Sequence, residues 1–222
     1  MRLFSLDERL TLCASFVRRG ATLADIGTDH AYLPIWLVKN GIVKSALACD
    51  INEGPLGAGK ADVDSYCLCD KIELRLSDGL KEVKENEASD IVIAGMGGEL
   101  IAKILSECHW AKNKDKHFIL QPMTKCEVLI KYLYENGFEI IEQKACQCDK
   151  KHYTVMLTHY TGNKPKELPA EFFFVGKLDF SDELSIKYID HIISNLKKRA
   201  IGDKSLLPVI KKIKGELKNG SD

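Results

Sequence analysis

The residues with the clearest chemical potential form the segment Asp25-Ile26-Gly27-Thr28-Asp29-His30, and a further acidic residue, Asp50, follows roughly 20 residues later. A glycine in a tight turn lets the backbone approach a ligand where a Cβ would clash. An acidic side chain at the end of the next strand can accept hydrogen bonds from ribose hydroxyls. The pattern therefore predicts a binding site for a nucleoside-containing cofactor.

The same loop also predicts which cofactor it binds. Asp29 and Ala31 stand where a dinucleotide-binding loop carries its second and third glycines. A carboxylate at this turn repels a pyrophosphate and suits a cationic ligand. S-adenosylmethionine has an ammonium group, a sulfonium group and no phosphate, so we expect it here rather than NAD or FAD. A nicotinamide oxidoreductase is disfavoured for the same reason.

Strands and helices that alternate along the chain must position this loop. Apolar runs and turn residues predict an opening helix within 6–17 and a cap at Asn52 for a helix that contains Pro55. The remaining predicted elements are strands at Thr22–Ile26, 43–49, 71–76, 90–94 and 117–120, helices at Tyr32–Lys39 and 127–135, and a closing pair at 138–145 and 152–159. This order predicts a doubly wound α/β fold, a mostly parallel sheet with helices on both faces.

Four strand ends carry residues suited to a ligand, at 27–30, 50–52, 78–79 and 95–98. Ser77-Asp78-Gly79 taken alone is also an ordinary turn sequence, and Gly97-Gly98 is also compatible with a tight helix start. Because the carboxyl ends of parallel strands meet at one edge of a sheet, all four segments are expected to ring one crevice. Their joint placement favours a cofactor site over a set of unrelated turns.

Charge and length place limits on the class of protein. The 222 residues include 32 basic and 32 acidic ones, which argues against a protein that coats polyanions. From Lys197 onward, however, eight lysine and arginine residues outnumber three acidic ones. This tail, preceded by a linker at Lys164-Pro165 and Leu168-Pro169, is the best candidate for a polyanion-facing surface. A solvated helical face is an equally good interpretation of its charges.

The cysteines and the apolar runs bear on the compartment. Several of the eight cysteines lie within apolar runs without a signal peptide upstream, as in a reduced cytoplasmic protein. Two Cys-x-Cys pairs, Cys67 with Cys69 and Cys146 with Cys148, are closer than zinc ligands usually are, so we expect no metal. No run of about 18 apolar residues predicts a membrane span.

Taken together, these residues resemble the bacterial tRNA (adenine(22)-N1)-methyltransferases, the TrmK family. The matching segments are 9–10, 25–34, 50–56, 77–80, 93–98 and 119–122. The resemblance implies a class I methyltransferase sheet of seven strands with the last one antiparallel, over residues 1–162, and a small helical, coiled-coil-like tail over 163–222 that binds tRNA. This sequence departs from the family pattern at Lys131, where an arginine is expected, and in 174–178, where the expected proline is missing.

The resemblance also implies site residues. Those expected to bind S-adenosylmethionine are Asp25, Gly27, Thr28, Asp29, His30, Asp50, Ile51, Asn52, Asp78, Gly79, Gly95, Met96 and Gly97. Those expected to contact RNA are Arg9, Tyr32, Lys197, Lys198 and Arg199. Arg9 could also pair with an internal carboxylate and Tyr32 could be a core aromatic residue. For His30, a satisfied turn histidine is the better interpretation than proton transfer.

The expected chemistry is an in-line displacement at carbon, for which alignment and exclusion of water matter most. Adenine N1 has a free lone pair, so no general base is required. An acceptor for the exocyclic amine and a negative charge near the cationic product would help. We therefore expect the carbonyls of Gly95 and Met96 and the carboxylate of Asp29 to act in catalysis, although Asp29 could instead bind only the methionine ammonium group.

Other functions also fit the crevice. A methyltransferase for a small metabolite or a protein would keep the crevice without needing the basic tail. Methylation of another RNA is a further alternative, and a non-catalytic module would bind the cofactor without turnover. A tRNA substrate requires the target adenine to be unstacked. We favour a monomer.

Overall fold

The computed structural model describes residues 3–219, which contain a seven-stranded sheet. Its strands are β1 (Thr22–Ile26), β2 (Ser45–Asp50), β3 (Ile72–Leu76), β4 (Asp90–Gly97), β5 (His117–Thr124), β6 (Phe138–Cys148) and β7 (Lys151–Tyr160). The strand order is β3-β2-β1-β4-β5-β7-β6, and β7 pairs antiparallel with both of its neighbours. This confirms the predicted class I methyltransferase fold.

Helices connect the strands and form the tail. They are α1 (Glu8–Phe16), α2 (Tyr32–Lys39), α3 (Glu53–Ser65), α4 (Gly98–Glu107), α5 (Cys126–Glu135), α6 (Phe172–Val175), α7 (Glu183–Arg199) and α8 (Leu206–Asn219). Asp7 caps α1, where its carboxylate accepts a hydrogen bond from the Leu10 N–H at 2.6 Å. Asn52 occupies the predicted N-cap of α3, and its own N–H donates to Asp50 Oδ1 at 2.8 Å.

Both faces of the sheet are covered, which explains why the central strands read as continuous apolar runs. On β4, Ile91 and Ile93 are buried in one cluster of apolar side chains, while Val92 between them is buried in the cluster on the opposite face. A fully buried central sheet fixes the register of β1 against β2 and β4, and so fixes where these strands end.

Several strands continue past their predicted ends, among them β6, which ends at Cys148 instead of residue 145. β4 continues past Ala94 to Gly97, and β5 continues past Leu120 to Thr124, with irregular pairing between Ala94 and Met96. Gly95 has φ of +79°, a left-handed conformation that a glycine adopts without strain and that accommodates the bulge. The Gly95-Met96-Gly97 segment is therefore an irregular continuation of β4 with a left-handed turn at Gly95.

The tail packs on the sheet domain through a third apolar cluster. Ile189 and Ile193 of α7 and Ile213 of α8 are buried there together with Ala145 of β6. The Arg199 guanidinium also donates to Glu127 Oε1 of α5 at 2.8 Å. The predicted boundary at 162/163 follows the end of β7 directly and stays a prediction, and the outer limits 1–2 and 220–222 lie outside the described residues.

Candidate active site

The glycine loop is attached to the neighbouring strand by its backbone. The N–H groups of Gly27 and Thr28 both donate to the Cys49 carbonyl, at 2.8 and 2.9 Å. Gly27 has φ of +78°, and a Cβ there would overlap the terminal methyl group of Met96. Two segments about 70 residues apart, both predicted to bind the cofactor, therefore contact each other, and glycine is required for that contact.

Asp25, at the end of β1, has an unusual environment. Its carboxylate is buried, and this burial raises its pKa from the usual 3.8 to about 6, while the neighbouring Thr28 side chain and the charge of Arg9 act in the opposite direction. A carboxyl with this pKa is ready to ionise when a cation comes near. Its position and chemistry suit the ammonium end of the expected cofactor.

This pKa shift predicts a pH dependence of stability that Asp25→Asn should remove. Because the pKa is raised in the folded state, folded protein retains a proton between pH 3.8 and about 6 that the unfolded chain releases. The Asp25 contribution is therefore full at low pH and is lost as the pH rises through 6. We expect the free energy of unfolding of the wild type, minus that of Asp25→Asn, to fall across this range in urea titrations and then level off. Parallel pH profiles of the two proteins would contradict the assignment.

The end of β2 presents a carboxylate beside an exposed apolar side chain. Asp50 Oδ1 accepts the Asn52 N–H at 2.8 Å, which fixes the carboxylate in its turn, and its second oxygen is available to a ligand. Ile51 is 60% exposed, an unusual state for a large aliphatic residue between two ordered elements. A polar acceptor next to an uncovered apolar surface suits a nucleoside, which needs both.

The end of β3 lies against that turn, because the Ser77 N–H donates to the Asp50 carbonyl at 2.8 Å. Gly79 has φ of +60°, and a Cβ there would press on Ile104 of α4. The Asp78 carboxylate has a partner that the sequence did not predict: it accepts a short hydrogen bond from the Lys81 ammonium group, which lowers the pKa of Asp78. A ligand amine at Asp78 would share this carboxylate with Lys81.

Gln121 is a functional candidate that the sequence interpretation missed. Its side chain is fully buried, and its Oε1 accepts hydrogen bonds from the Gly95 N–H at 3.0 Å and from Arg9 Nη1 at 2.9 Å. The amide nitrogen donates to the Pro122 carbonyl at 3.0 Å. Gln121 therefore holds the left-handed turn at Gly95 in place. A lone polar residue at the end of the apolar run 118–120 was the available signal.

Arg9 joins this network rather than standing free. Besides its bond to Gln121, its Nη2 lies 3.2 Å from Asp7 Oδ2, so the guanidinium pairs with an internal carboxylate as one of the two predicted alternatives requires. It also lies next to Gly95, close enough that a Cβ at that glycine would be in van der Waals contact with it. A contact of Arg9 with RNA stays a prediction.

His30 and Tyr32 form the rim next to the glycine loop. His30 Nδ1 lies 2.9 Å from Asp62 Oδ2, and its ring stacks on Tyr32 with centroids 5.0 Å apart. This partnership agrees with the expected turn histidine. Tyr32 is partly exposed and makes an edge contact with Phe4 at 4.9 Å, so it is not a fully buried core residue.

Asp29 differs from the other acidic residues of the site. Its side chain is 81% exposed, and the His30 ring lies beside it, with Nε2 3.8 Å from Asp29 Oδ1. An exposed carboxylate at the head of a crevice is available to a ligand or to a substrate. Both predicted roles of Asp29 remain compatible with this position.

The predicted tail cations are distributed unequally around a second concavity. A cleft of about 520 Å³ lies between α7 and the start of α5, and Lys198 and Arg199 line it whereas Lys197 does not. Within residues 3–219, no group of three or more histidine, cysteine or acidic side chains is arranged to hold a metal ion. Nor does any helix in that range have the length and apolar character to cross a membrane.

Comparison with known proteins places this geometry in a family. A protein-family model with the description "Methyltransferase domain" matches residues 6–156 of this chain. The tRNA (adenine(22)-N(1))-methyltransferase of Bacillus subtilis is 37% identical over 157 residues, 71% of this chain and 66% of that protein. The match spans just under two thirds of the relative's length.

Solved structures extend the likeness to the tail. Sp1610 of Streptococcus pneumoniae, in complex with S-adenosyl-L-methionine, has a TM-score of 0.85 and 34% identity, covering 96% of this chain and 100% of that one. M. capricolum TrmK, in complex with S-adenosyl-homocysteine, has a TM-score of 0.82 and 28% identity, covering 98% and 99%. Both likenesses include the helices that follow the sheet.

Proposed function

This chain belongs to the methyltransferase family of the tRNA (adenine(22)-N1)-methyltransferases, and we propose that it transfers a methyl group from S-adenosylmethionine to N1 of adenine 22 in tRNA. The observation that carries this proposal is the convergence of four strand ends, with Gly27, Asp50, Gly79 and Gly95 at one edge of the sheet. Such a tRNA substrate implies action in the cytoplasm. The protein acts as a monomer.

The residues present fit S-adenosylmethionine. Asp50 has an acceptor oxygen for the ribose hydroxyls, and the exposed Ile51 covers one face of the adenine. Asp25 and the loop at Gly27 and Thr28, whose N–H groups are anchored to the Cys49 carbonyl, would lie at the methionine portion. When bound, the cofactor supplies an electrophilic methyl group on a sulfonium.

Asp78 is assigned to the adenine amine of the cofactor, and a pair of ligands tests this. We expect Asp78→Ala to weaken S-adenosylmethionine binding because the amine loses its acceptor, whereas a cofactor analogue without the amine should bind both proteins alike. Calorimetry with both ligands measures the difference. Because Asp78 also pairs with Lys81, Lys81→Ala serves as the control for loss of the ion pair alone. An equal loss of affinity for both ligands in Asp78→Ala would show that Asp78 does not contact the adenine amine.

The protein residues act on the target base mainly by orientation and electrostatics. The carbonyls of Gly95 and Met96 accept the exocyclic amine of the adenine, which increases the electron density at N1. Gln121 maintains the backbone turn that directs those carbonyls, since it accepts the Gly95 N–H. The exposed Asp29 carboxylate stabilises the positive charge that develops on the methylated ring.

The decisive experiment locates the methyl group. Purified protein and labelled S-adenosylmethionine are incubated with a bacterial extract that contains total RNA and small molecules, and the modified nucleotide is mapped by its block to reverse transcription. A block at adenine 22 that requires both cofactor and protein is the expected result. Label in another RNA or in small molecules would favour a different methyltransferase, and cofactor binding without any transfer would favour a non-catalytic module.

A further inference from the structure

The cleft beside α7 is formed by three separate parts of the chain. Its walls come from the end of β5 with the start of α5, from the first residues of β7, and from one face of α7. Its volume of about 520 Å³ is in the range of sites that hold small molecules. Of the residues that line this cleft, only Lys198 and Arg199 are among those predicted to contact RNA.

The cleft adjoins the segment of the proposed methylation site. Met96 pairs with Pro122 and Gly97 pairs with Thr124 across β4 and β5, so the wall of the cleft begins where the catalytic segment ends. Met123 lies between the two, is 40% exposed, and its sulfur accepts a hydrogen bond from Gln121 at 3.6 Å. A chain that delivers a base to Gly95 and Met96 would therefore pass directly into this cleft.

Its charges favour an anionic occupant. Glu127 is neutralised by Arg199 at 2.8 Å, while Lys125 and Lys198 make no ion pair among residues 3–219. The ammonium groups of Lys125 and Lys198 are therefore available in the cleft, because the charge of Glu127 is already balanced by Arg199. This arrangement suits phosphate, which a lysine binds as a point charge.

Its walls also offer aromatic surfaces. The rings of His152 from β7 and His191 from α7 have centroids 6.5 Å apart, and Tyr153 also contributes to the lining of the cleft. Asn195 Nδ2 lies 2.9 Å from His191 Nε2 and restrains that ring. Rings of this kind hold unstacked bases of single-stranded RNA, and the neighbouring lysines hold the backbone.

We propose that this cleft binds a nucleotide next to the target adenine, with its base against His191 and His152 and its phosphate at Lys125 and Lys198. The inference rests on the proposed tRNA substrate and adds that a second nucleotide leaves the stack with the first. The cleft then contributes to the choice of RNA site, because a duplex neighbour cannot enter it.

The test combines protein variants with RNA that lacks one base. Target tRNA is prepared with an abasic site immediately 5′ or 3′ of adenine 22, and KM and kcat are measured for each RNA. With the wild type, we expect one of the two abasic RNAs to show a KM higher by on the order of tenfold. His191→Ala should raise the KM for intact tRNA to a similar extent and show no further loss with the abasic RNA.

Matched charge variants give an independent measurement. Lys198→Glu should raise the KM for tRNA by on the order of tenfold with an unchanged dissociation constant for S-adenosylmethionine. Lys214→Glu makes the same charge change on an exposed face of α8 outside the cleft, so its effect should be much smaller. Thermal melting checks that His191→Ala and both charge variants fold.

Three results would overturn the inference. The first is full activity of the wild type on both abasic RNAs, and the second is a KM for His191→Ala that rises further, by the full abasic factor, when the abasic RNA is used. The third is an equal rise of the KM for tRNA in Lys198→Glu and Lys214→Glu. Failure of the proposed function looks different. In that case the wild type would leave adenine 22 of intact tRNA unmethylated, before any variant is compared.

Discussion

Asp50→Ala should weaken binding of S-adenosylmethionine by about 1.5 to 3 kcal/mol, a factor of roughly 10 to 150 in the dissociation constant. The proposed ribose hydroxyls lose a charged acceptor at the end of β2, where no other acidic side chain replaces it within this strand. Isothermal titration calorimetry measures the change directly. The thermal stability without cofactor should change little.

The control for this variant follows from the turn that Asp50 caps. Its Oδ1 also accepts the Asn52 N–H, so alanine could act by loosening the turn instead of removing the ribose contact. Asp50→Asn keeps an oxygen for that N–H and removes only the charge. An intermediate affinity for Asp50→Asn is therefore expected, and affinities equal to wild type in both variants would refute the ribose assignment.

Local sequence predicted most of the fold and much of the crevice. The glycine loop, the turn after Asp50 and the turn at Gly79 are each encoded by a few neighbouring residues, and parallel pairing brings them together without further information. The family resemblance was confirmed by the comparisons, and the predicted bounds of β1 and α2 agree with the structure.

What the sequence could not predict depends on contacts between distant residues. Gln121 joins Arg9, 112 positions away, to Gly95, 26 positions away, and no local pattern marks such a pair. The extension of β4 to Gly97 accompanies its pairing with the extended end of β5. The ion pair of Asp78 with Lys81 is local, yet a turn sequence does not state which way a lysine side chain will fold back. The cleft beside α7 exists only because the tail packs on β6 and α5.

The second large effect is expected at Asp29, the residue that most distinguishes this loop from a dinucleotide site. If its carboxylate stabilises charge on the target adenine, Asp29→Asn should lower the single-turnover rate of methylation by on the order of tenfold or more, since about 1.36 kcal/mol of lost transition-state stabilisation corresponds to a factor of ten. Asparagine has the same shape as aspartate, and the Asp29 side chain is 81% exposed, so folding and most of the cofactor affinity should be preserved.

The alternative role of Asp29 gives the opposite pattern. If the carboxylate binds only the methionine ammonium group, Asp29→Asn should raise the dissociation constant of S-adenosylmethionine and leave the saturated rate nearly unchanged. Both quantities are measured on one variant, with Asp64→Asn as the control for removing an exposed acidic charge elsewhere, on α3. A saturated rate equal to that of wild type would withdraw the catalytic role from Asp29. Methyl transfer would then depend on the carbonyls of Gly95 and Met96 and on the alignment that Gln121 maintains.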